Sequence, residues 1–163
     1  MTVRTNKTAT RSAIGAAMAC TVFPSTAIAG DNAVLDAVDW YKNIYAVSFV
    51  ENDPDFFSHY ADYVFLGFGE NVGYQENPNI EAEMSAYIES WVEKGWTNSA
   101  LQSVEGTAID SKTVLLTSHW KITSADGESV TKCTMPGWKY IVVDTKAGWR
   151  IISEFEAPCM TKN

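Results

Sequence analysis

The chain has 163 residues, of which 46% are hydrophobic and 12% aromatic, enough to bury the core of one domain and unlike a disordered protein. It carries 12 Lys and Arg against 20 Asp and Glu, a formal net charge of −8. A domain this acidic repels phosphate backbones and anionic lipid surfaces, so the charge argues against nucleic acids and membranes as partners.

The first 29 residues have the three-part pattern of a secretory signal peptide. Three basic residues precede a mostly apolar run at residues 13–23, and a small-x-small cleavage pattern ends at Ala29. The apolar run is too short for a permanent membrane helix. We therefore predict removal of residues 1–29, export to the periplasm or the medium, and a single domain at residues 30–163. Its net charge is −11, because the leader holds three of the basic residues and none of the acidic ones.

Helices dominate the first half of the predicted domain. Residues 33–50 form a long amphipathic helix, since their apolar side chains recur on one face at helical spacing. Asn52-Asp53-Pro54 ends that helix and begins a short second one at residues 55–60. Residues 63–68 read as a buried strand, and residues 80–94 as a third helix.

The second half is predicted as four antiparallel strands, the last two joined by the turn Asp144–Gly148. Counting back from that turn places Cys133 opposite Cys159, the only two cysteines of the predicted mature chain. In an oxidising compartment such a pair is expected to form a disulfide. Two buried free thiols are the alternative.

Helices followed by strands indicate an α+β fold. Trp40-Tyr41 on the first helix, the Asn52-Asp53-Pro54 break and the closing Gly148-Trp149-Arg150-Ile151-Ile152 make residues 33–157 resemble the SnoaL-like, nuclear transport factor 2-like superfamily. The resemblance implies a curved antiparallel sheet wrapped around N-terminal helices, forming a cone with a deep pocket. It implies no single reaction, because the superfamily includes isomerases, dehydratases, hydrolases and non-catalytic binders.

The turn at Asp126-Gly127 sets the register of the preceding hairpin and assigns the two faces of the sheet. The core face then collects eleven residues: Val114, Leu116, Trp120, Ile122, Cys133, Met135, Ile141, Val143, Trp149, Ile151 and Phe155. The outer face takes His119, Trp138, Tyr140, Ile152, Glu154 and Glu156. A bulge at Pro136-Gly137 would exchange the faces and make His119 and Glu154 pocket candidates.

Large aromatic side chains beside charges on an outer sheet face often mark an interface. Members of the superfamily commonly dimerise through that face. We therefore predict a homodimer that meets at Trp138, Tyr140 and Ile152, with a monomer as the alternative.

The pocket is predicted to be lined by aromatic side chains and to bind a small, mostly apolar molecule. The proposed lining is Tyr41, Tyr45, Phe57, Phe68, Trp91 and Trp120. The two histidines, His59 and His119, lack the spacing of a metal site, and the sequence has no phosphate-binding loop and no nucleophile elbow. We therefore predict neither a metal nor a cofactor.

Acid–base chemistry is the enzymatic alternative to ligand binding without an assigned reaction. In ketosteroid isomerase-like members a first-helix tyrosine holds an oxyanion, and Tyr41 or Tyr45 would take that role by resemblance. His59 would lie at the pocket mouth as an acid or base. The same residues are also explained as core tyrosines and a helix-terminal histidine. A cofactor-independent isomerase, dehydratase or cyclase is therefore kept as one alternative. A non-catalytic structural or interaction domain is the other.

Overall fold

A computed structural model describes residues 27–68 and 71–160. Most of the predicted leader, residues 1–29, lies outside these residues. No helix within the described ranges is long and apolar enough to cross a membrane.

The first helix is one uninterrupted helical segment of three parts. It consists of α1 (Ala27–Trp40), a π-helical turn (Tyr41–Tyr45) and α2 (Ala46–Val50). A 3-10 helix follows at Phe56–His59, and α3 spans Asn77–Val92. All three predicted helices are therefore present, and the first begins before the predicted residue 33.

Six strands form one open, mixed sheet beside these helices. They are β1 (Tyr60–Phe68), β2 (Asn71–Glu76), β3 (Trp96–Ala108), β4 (Thr113–Ser124), β5 (Gly137–Thr145) and β6 (Gly148–Ala157). Their order is β2-β1-β6-β5-β4-β3, and only β1 and β6 run parallel. The α+β prediction is confirmed. The strand β2 was not predicted from the sequence.

The first helix packs against β3 and β4, with its apolar face towards the sheet. At Gly106 of β3, a Cβ atom would lie only 2.8 Å from Cγ1 of Val34. Glycine therefore allows the helix to approach the sheet more closely than any other residue would. The core lies between these two layers.

The register between β4 and β5 differs from the predicted one. The Asp126-Gly127 turn predicts Met135 opposite Ser118, whereas Trp138 occupies that position. Residues 125–136 form a loop instead of continuing the strands, which shifts the pairing by an odd number of residues. Because alternate residues of a strand face opposite sides, Trp138 and Tyr140 face the core.

The strand β6 contains a bulge that was not predicted from the sequence. Ile141 lies opposite Ser153 instead of Ile151, which leaves Ile152 as the extra residue. Beyond the bulge the faces of β6 are exchanged. Glu154, assigned to the outer face, is only 2% exposed.

These two changes correct the predicted dimer surface. Trp138 and Tyr140 are buried in the interior and cannot form an outer-face contact, while Ile152 is 37% exposed at the bulge. The interface built on these three residues is therefore wrong. The homodimer itself stays a prediction.

The predicted disulfide between Cys133 and Cys159 is present, with the Cα atoms 6.1 Å apart. The two residues are not paired strand positions as predicted. Cys133 lies in the 125–136 loop and Cys159 follows the end of β6. The bond therefore attaches the loop at residues 125–136 to the segment that follows β6.

Replacing both cysteines, in the variant Cys133→Ser/Cys159→Ser, should lower the free energy of unfolding by about 3 kcal/mol. The reason is that the unfolded chain loses a cross-link between residues 26 apart in the sequence and gains conformational freedom. Urea unfolding of the wild type and the variant measures the loss. Reductant should bring the wild type to the variant's stability and leave the variant unchanged. Equal stabilities of the two oxidised proteins would contradict the prediction.

Candidate functional site

A cavity of about 390 Å³ lies between the inner face of the sheet, the first helix and α3. This volume is within the range of small-molecule sites. Most of the wall is apolar, and eight of the lining residues are aromatic: Tyr45, Phe49, Phe56, Tyr87, Trp91, Trp120, Trp138 and Tyr140. The cavity is therefore suited to an apolar molecule.

Three of the six predicted pocket residues line this cavity: Tyr45, Trp91 and Trp120. Phe57 does not. It packs against Phe56, at 5.1 Å between ring centroids, and Phe56 lines the cavity in its place. The side chain of Phe68 lies outside the described part of the structure.

Tyr41 is buried behind the cavity wall. Its hydroxyl donates to Oγ of Ser118 at 2.8 Å and accepts from Nε1 of Trp120 at 3.2 Å. Burial raises the pKa of Tyr41 to about 12. With its hydroxyl held by two buried partners, Tyr41 ties the helix to β4.

Glu154 is the ionisable group at the centre of the site. The bulge in β6 turns it into the interior, where it lines the cavity. The hydroxyl of Tyr60 donates to Oε2 of Glu154 at 2.7 Å, and the hydroxyl of Tyr45 lies 2.8 Å from that of Tyr60. Because Tyr60 has one proton and gives it to the carboxylate, Tyr45 donates to Tyr60. The three groups form a directed chain of hydrogen bonds.

Burial raises the pKa of Glu154 to about 7, although hydrogen bonds from Tyr60 and Tyr140 lower it. Burial also raises the pKa values of Tyr45, Tyr60 and Tyr140 well above that of an ordinary tyrosine, so their hydroxyls keep their protons and act as donors. A carboxyl group that changes charge near neutral pH, surrounded by fixed donors, is suited to proton transfer.

The histidines do not line the cavity. His59 packs edge-on against Trp40 and Tyr45, at 5.8 and 5.9 Å between ring centroids, and its pKa is lowered first by burial and then by Arg150. His119 faces the other side of the sheet, where Nδ1 lies 3.4 Å from Oγ of Ser103. As an alternative, the sequence predicted that His119 and Glu154 both face the pocket. This alternative is correct for Glu154 and wrong for His119.

In the described ranges, no three or more His, Cys, Asp or Glu side chains are grouped so as to hold a metal. Tyr60 and Tyr140, two donors around Glu154, were missed as site residues. The sequence carried one signal of the site, since Glu154 and Glu156 alternate along β6 and share a face. It did not indicate which face that is.

Comparison with known proteins gives a family and a fold. The family described as NTF2-like protein (DUF6841) matches residues 35–159. No curated protein matches the sequence. Several solved structures share the architecture. Their sequence identities are so low that the likeness shows a common fold and nothing more.

Among these structures, a proposed dehydratase of the NTF2-like family from Streptomyces avermitilis has a TM-score of 0.57 and 16% identity, covering 80% of this chain and 99% of its own. An NTF2-like protein with a cystatin-like fold from Novosphingobium aromaticivorans has a TM-score of 0.57 and 12% identity, over 76% and 79% of the two chains. A protein of unknown function from Pectobacterium atrosepticum has a TM-score of 0.57 and 14% identity, over 80% and 92%.

The raised pKa of Glu154 predicts a specific dependence of stability on pH. The folded state holds the proton more tightly than the unfolded state, where the pKa is near 4.5. This contribution is complete below that value and is lost as the pH rises towards 7, a change on the order of 3 kcal/mol. Glu154→Gln cannot titrate, so wild type should lose stability relative to it between pH 4.5 and 8.

Urea unfolding at several pH values measures this difference. Glu105→Gln, at an exposed position on β3 that does not line the cavity, serves as the control and should follow the wild-type curve. Parallel curves for wild type and Glu154→Gln would show that Glu154 does not titrate in this range.

Proposed function

The chain belongs to the NTF2-like protein family DUF6841, and we propose that it is a cofactor-independent enzyme that moves a proton on a small, largely apolar substrate. Isomerisation and dehydration are the reaction classes that this chemistry serves. The observation that carries the proposal is Glu154, a buried carboxyl group with a pKa of about 7 in the wall of an aromatic cavity.

In the proposed reaction, ionised Glu154 takes a proton from a substrate carbon next to a carbonyl group. The negative charge moves to the carbonyl oxygen. The neutral acid then returns the proton to another atom of the same substrate, which completes an isomerisation. In a dehydration the proton instead leaves with the departing hydroxyl group as water.

Tyr140 is the proposed donor to that carbonyl oxygen: its single hydroxyl proton turns from Glu154 to the oxygen once Glu154 has taken the substrate proton and become neutral. It lines the cavity, and its raised pKa keeps the proton on its hydroxyl. A fixed donor in an apolar surrounding stabilises a developing oxyanion far better than one in water. Tyr60 has a positioning role, since its hydrogen bond orients Glu154 and lowers the pKa of the carboxyl group.

Binding without turnover is the second candidate function. The largely apolar wall favours it, because such a wall holds a ligand equally well with or without chemistry. The proposed dehydratase among the similar structures supports the enzymatic class only through the shared fold. A purely structural domain is less favoured, because its own side chains would be expected to fill a cavity of about 390 Å³.

Proton transfer can be tested before the substrate is known, with an apolar ketone such as 2-tetralone in deuterated buffer. We expect wild type to speed the exchange of the protons next to the carbonyl, measured by proton NMR. Glu154→Gln should lose about 100-fold or more of this rate. Tyr60→Phe should move the pH–rate profile towards higher pH, because it removes a hydrogen bond that lowers the pKa of Glu154.

Glu105→Gln is the matched control, since Glu105 is exposed on β3 and does not line the cavity. It should exchange protons at the wild-type rate. Binding of the ketone with no exchange above that of buffer would favour carriage over catalysis.

We also propose that the protein is exported after removal of residues 1–29. The disulfide fits an oxidising compartment. Protein secreted to the periplasm of a bacterial host should have the mass of residues 30–163 less two hydrogens. Recovery of the full-length mass would contradict cleavage.

A further inference from the structure

The charged groups of the cavity all have the same sign. Glu83, Glu154 and Glu156 line it, and none of the described lining residues is Lys, Arg or His. The net charge of the whole chain, with these residues included, is −8. This field concentrates cations and repels anions at the entrance.

The three glutamates lie at different depths. Glu154 is buried beside Tyr60, whereas Glu83 and Glu156 are exposed and mark the mouth of the cavity. Glu83 lies one helical turn before Tyr87 on α3, so the two share a face of the helix. The mouth therefore offers carboxyl groups exposed to water, and the interior offers a buried carboxyl group whose pKa is about 7.

Glu156 lines the cavity together with three aromatic residues, Tyr87, Trp91 and Trp138. Trp138 lies directly opposite Glu156 in the ladder between β5 and β6. The ring of Trp138 lies 6.2 Å from that of Trp91, which lies 4.8 Å from that of Tyr87. Tyr87 is 46% exposed and lines the same cavity as Glu156; its pKa is raised first by burial and then by the charge of Glu156. We call these four residues the mouth cluster.

A carboxylate among tryptophan and tyrosine rings is the arrangement that recognises ammonium groups, by ion pairing and by attraction to the ring faces. Neutral apolar ligands need only the rings. The exposed acid in the mouth cluster is therefore an addition that favours a positive charge.

We propose that the substrate is a small apolar amine, protonated or quaternary, whose cation lies in the mouth cluster while its carbon skeleton extends inwards to Glu154. The inference rests on the proposed function of the cavity as a substrate site. Glu154 and Glu156 are two residues apart on one strand, which separates them by roughly 7 Å. The amine nitrogen and the atom that exchanges a proton are then several bonds apart.

The test uses three probes with one skeleton and different charges: 3-phenylpropylamine, 3-phenylpropanol and 3-phenylpropanoate. Binding is measured by isothermal titration calorimetry and by the fluorescence of the tryptophans in the wall. The amine should bind about tenfold more tightly than the alcohol, and the carboxylate should not bind measurably. Raising the salt concentration should weaken the amine more than the alcohol.

The variant Glu156→Gln removes the charge and keeps the shape of the mouth cluster. It should weaken the amine about fivefold to tenfold and leave the alcohol unchanged. Glu105→Gln, outside the cavity, should alter neither.

Two other outcomes overturn the inference. If the alcohol or the carboxylate binds as tightly as the amine, or if Glu156→Gln weakens amine and alcohol alike, the cavity keeps its role as a ligand site but does not select amines. If none of the three probes binds, the amine inference fails. The ketone exchange assay then decides separately whether Glu154 is catalytic.

Discussion

The burial of one carboxyl group, Glu154, is the constraint on which the site depends. An isolated ionised carboxylate in an apolar interior is too costly to keep, so the group either finds donors or becomes neutral. Here both occur in part, because Tyr60 and Tyr140 supply hydrogen bonds while burial still raises the pKa to about 7. The result is a group balanced between two charge states, which an entirely apolar or an entirely solvated environment would not give.

The tyrosines that hold Glu154 also join the helical layer to the sheet. Tyr45 on the π-helical turn reaches Tyr60 at the start of β1, and Tyr41 one turn earlier reaches Ser118 on β4. The rings of Tyr41 and Tyr45 lie 5.0 Å apart, so the wider turn presents two hydroxyls to the sheet side by side. Isolated π-helical turns within α-helices occur often at functional sites. In this protein the π-helical turn supplies tyrosine rings that pack in the core, and it supplies Tyr45, the first donor in the chain of hydrogen bonds that leads to Glu154.

Local signals in the sequence were sufficient for the helices and turns. Gly127 and Gly148 adopt positive φ angles, the conformation that glycine turns favour, and the amphipathic pattern located the first helix. Strand register was not predictable, because it was counted from those turns across residues 125–136, which form a loop. The second turn pairs Thr145 with Gly148, where Asp144 was predicted, which is another odd error of register. The two errors cancelled at Ile151, which is buried as predicted. The bulge at Ile152 then exchanged the faces beyond it, so Glu154 was assigned to the wrong side.

The disulfide also affects β6, the strand that carries Glu154. Cys159 follows Glu156 by three residues and is bonded to Cys133 in the 125–136 loop. β6 pairs with β1 on one side and β5 on the other, but its last residues are close to the end of the chain, and their separation from the sheet would expose Glu154 to water. Exposure would remove the burial that raises its pKa. The bond therefore restrains the end of the one strand whose position sets the protonation of the site, and the stability of the fold and the chemistry of the cavity depend on the same segment.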